Sequence, residues 1–586
     1  MNWKLTEKLR QRLAGEQGYY RSSSNGGAVK FALGYPNAYG TGMSNLGFHI
    51  IYDILNRRSD TVCERFFLPE KRELAEYQRT DTPIMTLENQ RPLDHFDIIG
   101  LAVSFEMDYF NVPLLLDMGR VTVRAADRGE REPIVIAGGP CATFNPAVLS
   151  PFVDAFVIGE GEETVGEIVD AVQQARAEKL SRRETVSRLA AVPGVFVPSL
   201  YEWCYNDEGR VTAVRPAAEI SAASAPEKVS RRWVKNLDDY PAHTVVVTND
   251  TEFNLYLVET GRGCGRHCRF CMAGYAFRRP RSRSLEVLKE EINEAKRFGK
   301  RFGLMGAAIS DYPEIDALCE YIRGEGQTMS VASFRADSVT PTLVKALADS
   351  GMQTITIAPE AGSDDMRAVI NKGIEEEHLY NTIRLGVASG IRHFRMYIMV
   401  GLPWEKPEDI DAIAELTHRL KDFMEAEGSR GTFTLSVNPF IPKPFTPFQW
   451  LPMADKKTLE ESLKRLNAGL KKRKGIELKT ESLKEAYIQG VLARGDSRIG
   501  ELLCRSYEER GAEASKAFLR TLKDEGIDAG FYLYRERGQE EIFPWEMIDI
   551  GVRREYLLAE LENARQRKFT TMCFDGCRRC GVCAQV

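Results

Sequence analysis

The chain has 586 residues, 43% of them hydrophobic and 28% charged, with a formal net charge of −5. That length predicts several domains, and the composition is that of a globular protein, neither disordered nor fibrous. No apolar run is long enough to span a bilayer and residues 2–9 open a polar helix with no signal-peptide pattern, so a cytoplasmic chain without a membrane partner is expected, while the acidic balance excludes nucleic-acid binding by overall charge and leaves only the local runs Arg278-Arg279-Pro280-Arg281-Ser282-Arg283 and Lys471-Lys472-Arg473-Lys474 to touch phosphates, the second reading better as a solvated face.

Within residues 1–190, residues 29–33 read as a strand and 34–42 as a glycine-rich loop. Residues 44–57 read as a helix capped by Ser44, with Phe48, Ile51, Tyr52 and Leu55 on one face. Residues 97–104, 133–140 and 155–159 are further buried strands, each followed by helical sequence. Such alternation predicts a parallel, doubly wound, Rossmann-like α/β sheet of about five strands. Its ligand would sit at the carboxyl ends of the strands, where 34–42, 104–109, Gly138-Gly139-Pro140 and Gly159-Glu160-Gly161-Glu162 converge. Residues 191–245 read as a hairpin, with 195–197 and 211–214 flanking the turn Asn206-Asp207-Glu208-Gly209, and then as a linker over 221–241.

Seven of the twelve cysteines fall in two tight groups, which is metal-site usage in a reducing compartment. The first group is Gly261-Arg262-Gly263-Cys264-Gly265-Arg266-His267-Cys268-Arg269-Phe270-Cys271, a C-x3-C-x2-C spacing. Thiolates select iron–sulfur clusters, zinc or copper(I). A structural zinc or an electron-transfer cluster usually takes four protein ligands, so three leave a position open for chemistry.

This spacing, with Phe270 just before the third cysteine, resembles the signature of the radical S-adenosylmethionine (SAM) superfamily. The resemblance implies a partial (β/α)6 barrel over 246–450, with the cysteine loop after its first strand. Strands at 254–259, 302–309, 331–334, 353–358, 393–400 and 433–438, and helices at 285–298 and 343–348, supply that order. It further implies a [4Fe-4S] cluster on Cys264, Cys268 and Cys271 whose open iron chelates SAM, cleavage of SAM to a 5′-deoxyadenosyl radical, and an electron donor such as flavodoxin or ferredoxin. SAM contacts are implied for Ser333 and Arg335 at the third strand, Glu360 at the fourth and the backbone at Gly401. Residues 305–311 depart from the usual Gly-Gly-Glu, so Ser310 and Asp311 are the expected substitutes. An Arg335–Glu360 ion pair that merely supports the barrel is the plainer alternative.

The pair of loops holding Gly138, Gly139, Gly159 and Glu160 resembles the cobalamin-binding domain of many radical SAM enzymes, in which glycines let backbone approach a flat ring. The D-x-H-x-x-G motif of many cobalamin proteins is absent, which changes the expected ligation more than the expected binding. The proline- and aromatic-rich segment 439–450 resembles the matching segment of methylthiotransferases and would wall the substrate site or plug the barrel. Residues 451–586 form a mainly helical C-terminal part, with Val491-Leu492-Ala493 as packing positions. It ends in Cys573, Cys577, Cys580 and Cys583, which would hold either zinc or a second [4Fe-4S] cluster. The whole order resembles a family of cobalamin-binding radical SAM proteins. It implies an enzyme, with a cobalamin-dependent methyltransferase as the first reading. Sulfur insertion into RNA or protein is the second, although the N-terminal three-cysteine domain of methylthiotransferases is lacking. A non-catalytic iron–sulfur scaffold is the third. The substrate, whether small molecule, RNA or protein, is not written in the sequence.

Overall fold

The computed structural model describes residues 2–20, 29–218 and 225–584. The N-terminal sheet runs Thr61–Phe67, Val29–Tyr35, Ile98–Ala102, Ile134–Gly138, Ala155–Val157, Val195–Phe196, so its parallel strands follow the doubly wound order 2-1-3-4-5. The first five strands are parallel and the last is antiparallel. Helices cover both faces, which is why Ile98–Ala102 and Ile134–Gly138 bury every residue but the last.

The doubly wound sheet matches the expectation, with Thr61–Phe67 as an added strand. That strand lies at the edge of the sheet, and its buried Glu64 and Arg65 break the apolar run that a buried parallel strand normally shows. Arg65 is neutralised by Glu16 at 2.5 Å and Glu88 at 2.7 Å. The helix after the first strand spans Leu46–Arg57, and its cap is Asn45, whose side chain accepts from the Phe48 N–H at 3.0 Å, while Ser44 donates to the Gly40 carbonyl at 2.8 Å.

The expected hairpin is shifted. Val195–Phe196 joins the main sheet, and the hairpin pairs Tyr201–Tyr205 with Val211–Pro216. The expected linker is packed, apart from 221–224, which lie outside the described residues. Val229–Ser230 pairs with Ile548–Asp549 near the far end of the chain, and Arg232 bridges to Gly159.

The second sheet is all parallel. Leu255–Glu259, Arg301–Met305 and Met329–Ser330 form one part, and Thr354–Glu360, His393–Val400, Phe433–Pro439 and Ile476–Thr480 the other. A bridge between Phe334 and Ile357 joins them into an open barrel. The third strand is therefore Met329–Ser330, and of 331–334 only Phe334 pairs. Ile476–Thr480 extends the sheet by a strand where helix was expected. It is an edge strand whose Glu477, Lys479 and Thr480 stay exposed, so no apolar stripe announces it.

In Thr354–Glu360 and His393–Val400, buried and half-buried residues alternate. Ile355 and Phe394 pack outward against the helix Glu376–Ala388 at Gly386, which leaves Thr356, Arg395, Tyr397 and Met399 on the lumen face, while a register shift after Ile357 resets the position of Glu360. Segment 439–450 is core, not a pocket wall: Phe440, Phe448 and Trp450 are buried, Trp450 packs on Phe543 at 5.7 Å, and the Trp545 indole donates to Gln449. Val491, Leu492 and Ala493 are buried as expected. Among the described residues no helix is long and apolar enough to cross a membrane.

Candidate active site

The first barrel strand delivers the chain into the cysteine loop, which is pinched at its base by Gly261–Arg262 pairing with Arg281–Ser282. Inside it, Arg269 is fully buried and acts as the anchor. Its guanidinium reaches Glu560 at 3.1 Å and donates to the carbonyls of Ala368, Val369 and Lys568 at 2.8, 3.0 and 2.6 Å. Arg266 forks onto Asp311 at 2.8 and 2.6 Å and reaches Asp337 at 2.8 Å. Charge-assisted forks of this kind fix the loop geometrically as well as electrostatically.

Cys264, Cys268 and Cys271 lie close enough to perturb one another. Burial raises the Cys264 thiol first, and the neighbouring Cys268 thiolate second. Burial, then Cys268 and Cys264, push Cys271 up to about 11. Metal binding at such a set must expel protons, because the ligand is the thiolate. Among the described residues no three Cys, His, Asp or Glu side chains converge tightly enough for one ion. A [4Fe-4S] cube takes each of three thiolates on a separate iron and keeps a fourth iron open, which suits the three cysteines of this loop. Arg335 adds to the fit, with Nη1 at 3.8 Å from the Cys268 sulfur. A donor to a cluster sulfur is one of the protein's levers on its potential.

The residues expected around SAM are gathered beside this loop, with partners that differ from expectation. Arg335 pairs with Asp337 at 2.9 Å and donates to the Lys372 carbonyl at 2.6 Å, while Glu360 pairs with Lys372 at 3.2 Å. The Arg335–Glu360 pair is thus not formed. Ser310 is buried, accepting from the Arg335 N–H at 3.1 Å. Asp311 is held by Arg266: burial raises its carboxyl, and the fork from Arg266 outweighs that and leaves it below its ordinary value. Ser333 is half-buried, and so is Phe270, whose ring has the Lys372 ammonium 5.7 Å from its centroid.

The Gly401 N–H donates to Glu405 at 2.7 Å. Burial pushes the Glu405 carboxyl up to about 7, against the lowering effect of that N–H. The folded chain therefore holds this proton to higher pH than the unfolded chain, and the associated stability is full below the ordinary value of 4.5 and lost as pH rises through about 7. Glu405→Gln keeps an acceptor and removes the titration. Between about pH 5 and about pH 8 the melting temperature of the parent is expected to fall more than that of the variant; parallel curves would show the proton to be immaterial.

Lys372, Arg266 and Asp337 were not singled out from sequence. The signal for Lys372 is the turn Asn371-Lys372-Gly373, whose flanking residues have φ of 52° and 65°.

A cavity of about 570 Å³ lies between the carboxyl ends of the N-terminal strands and the mouth of the barrel. Gly138, Gly139, Gly159 and Glu160 line one wall, and Gly261, Gly263, Ala273 and Met305 the other. Of the loops expected to converge, 138–140 and 159–162 do so against the cysteine loop, 104–109 contributes Ser104, and in place of 34–42 the start of the helix Leu46–Arg57 lines the cavity. A larger cavity, about 680 Å³, lies among C-terminal helices near Tyr487 and Leu519, away from every cysteine. Glu160 lines the wall, but its carboxylate is committed: Arg281 forks onto it at 2.9 and 2.5 Å and the Val234 N–H donates to it at 2.7 Å. Arg262 pairs with Glu162 and with Glu259 at 2.7 Å.

The first basic run is accordingly no phosphate patch. Arg278, Arg281 and Arg283 are buried, and Arg283 is paired with Glu259 at 2.6 Å. In the second run Lys471, Lys472 and Lys474 are exposed.

Two family models match the chain, one described as radical SAM proteins, N-terminal, over residues 47–198, and one as radical SAM superfamily over residues 258–417. The chain belongs to the radical SAM superfamily. As a radical SAM enzyme it is 29% identical over 480 residues to an uncharacterized protein of Methanocaldococcus jannaschii, a match spanning 80% of this chain and 90% of that one. It is 25% identical over 305 residues, 49% of this chain and 58% of the other, to an uncharacterized methyltransferase of Pyrococcus horikoshii. Among solved structures, the radical SAM methyltransferase TsrM from Kitasatospora setae, with cobalamin and a [4Fe-4S] cluster bound, is similar at a TM-score of 0.49 and 14% identity, covering 82% of this chain and 99% of that one.

Proposed function

We propose that this radical SAM enzyme is a cobalamin-dependent methyltransferase. The observation that carries the reading is the cavity: glycine-rich carboxyl ends of a doubly wound sheet face the cysteine loop across one apolar space. When bound, the cluster with SAM supplies a 5′-deoxyadenosyl radical and the corrin supplies a methyl group. The chain's own contribution is positional. Cys264, Cys268 and Cys271 hold the cluster, and Arg335 directs a donor at the Cys268 sulfur. The Glu360–Lys372 pair and Ser310 border the SAM side, and Gly138 and Gly139 present backbone to the corrin side. Confinement of both groups between two rigid sheets excludes water and fixes their mutual orientation.

The test uses anaerobically reconstituted full-length protein. A retained corrin spectrum after hydroxocobalamin and gel filtration, with 5′-deoxyadenosine formed from SAM and a strong reductant, is expected. Cys268→Ala should abolish 5′-deoxyadenosine while leaving the corrin bound. Protein that forms 5′-deoxyadenosine yet retains no corrin would sink the methyltransferase reading and leave the radical one. Sulfur insertion remains as a second reading, favoured by the tail cysteines lying against the cluster loop, where the Cys573 N–H donates to the Gly265 carbonyl at 2.8 Å.

A further inference from the structure

The C-terminal cysteines are folded back onto the centre of the molecule. Between Cys264 and Cys268, the Gly265 carbonyl accepts from the Cys573 N–H at 2.8 Å, and His267 stands between the two groups, Nε2 at 3.3 Å from the Cys573 sulfur and Nδ1 at 2.5 Å from the Tyr556 hydroxyl. Asn371 ties the same two segments, donating to the carbonyls of His267 and Thr570 at 3.2 and 3.0 Å.

Two cations lie beside these cysteines. Arg579 places Nε 3.3 Å from the Cys577 sulfur. Arg278 is 1% exposed, with its guanidinium 4.8 Å from the Tyr275 ring centroid; its charge acts on Tyr275 and Tyr556 first and on Cys573 and Cys580 next, and its Nη1 and Nη2 have no hydrogen-bond partner. Two unspent donors on a buried guanidinium are costly unless an anion lies against them. Four thiolates on a metal centre carry net negative charge whichever metal they hold. Cys573, Cys577 and Cys580 repeat the C-x3-C-x2-C spacing of the cluster loop against which they are packed, which favours a second cluster beside the first.

We propose that Cys573, Cys577, Cys580 and Cys583 bind a second [4Fe-4S] cluster, which passes single electrons to the cluster on Cys264, Cys268 and Cys271. In each event a reduced flavin or iron–sulfur protein loses one electron, the tail cluster gains it and then yields it to the neighbouring cluster; no bond forms or breaks. Arg278 and Arg579 stabilise the more negative, reduced state of the tail cluster. His267 and the Gly265–Cys573 hydrogen bond set the contact between the two sites. This inference rests on the radical SAM assignment alone and stands whether or not a corrin binds.

Full-length protein, reconstituted without oxygen, tests it with two variants. Cys264→Ala/Cys268→Ala/Cys271→Ala is expected to retain about half the iron and sulfide of the parent, as one of two four-iron clusters remains, with an EPR signal on reduction that SAM does not alter. Zinc in place of iron, or no metal, in that variant overturns the proposal. In Cys573→Ala/Cys580→Ala the rate of SAM cleavage driven by reduced flavodoxin, divided by the rate driven by dithionite, is expected to fall at least tenfold. An unchanged ratio overturns the relay, as does loss of tail sulfide from the parent during turnover, which would mark it as a sulfur source. Arg278→Gln, measured in the background lacking the first three cysteines, is expected to move the tail potential negative by about 59 mV for each tenfold change in the one-electron equilibrium; an unmoved potential would detach Arg278 from the cluster.

Discussion

Glu160→Ala is expected to cost about 3–5 kcal/mol of stability, because it leaves a buried guanidinium uncompensated. The side chains of Glu160 and Arg281 are each 6% exposed. Beyond losing its fork, Arg281 would keep no anionic partner on this side, only the carbonyls of Val234 and Arg279 and the face of Trp233 at 5.2 Å, and the Val234 N–H would lose its acceptor. Arg262, 3.5 Å from the same carboxylate, would still have Glu162 and Glu259, so the loss concentrates on Arg281. The pair joins the loop after the fifth strand, Ala155–Val157, to the strand that closes the cysteine loop, so the damage should appear at the cavity between them. The midpoint of denaturant unfolding reads the cost, and Glu160→Ala/Arg281→Met should recover most of it, since an apolar pair of similar volume is often no worse than a buried ion pair. A single-variant loss below about 1 kcal/mol would mean that solvent reaches the pair and screens it.

That pair also shows where sequence reading stops. Gly159-Glu160-Gly161-Glu162 was legible as a loop at the end of a parallel strand, because glycine punctuation and the apolar run before it are local signals. Which partner Glu160 takes was not, since Arg281 lies more than a hundred residues away and inside a basic run that looked able to touch phosphates. The alternation of buried Arg278, Arg281 and Arg283 with exposed neighbours emerges only once the strands are paired: Arg281 and Arg283 reach the distant carboxylates of Glu160 and Glu259, while Arg278 donates to the Gly274 carbonyl four residues before it. The same limit hid Thr61–Phe67, where a buried Arg65 needs Glu16 and Glu88 from elsewhere. Ile476–Thr480 escaped for the opposite reason, being an edge strand with too little burial to leave a pattern. The cysteine loop and most barrel strands were readable because their ligands or apolar runs are contiguous. The SAM-facing residues were located but not their pairings: Asp311 answers to Arg266 and Glu360 to Lys372.

Gly138→Val should abolish corrin binding without loss of fold. Gly138 ends the strand Ile134–Gly138 and lines the cavity, and a Cβ built there meets only the Val157 Cβ, at the ordinary contact distance of 3.7 Å. A β-branched side chain suits a strand position. Its methyl groups would occupy space beside Val157, itself a cavity residue, so the cost falls on the ligand. The neighbouring glycine gives the contrast. Gly139 has φ of 99° and ψ of −179°, a region that essentially only glycine adopts, and a Cβ there would stand 2.7 Å from the Val103 carbonyl oxygen, so Gly139→Ala imposes strain of about 1–3 kcal/mol from the backbone alone, besides forcing a shift. Calorimetric melting together with corrin retention after gel filtration separates the two: Gly138→Val is expected to melt with the parent and hold at least tenfold less corrin, whereas Gly139→Ala is expected to melt lower. A Gly138→Val protein that keeps its full corrin complement would place the ligand elsewhere than against this sheet, and the cavity would lose its claim to be the cobalamin site.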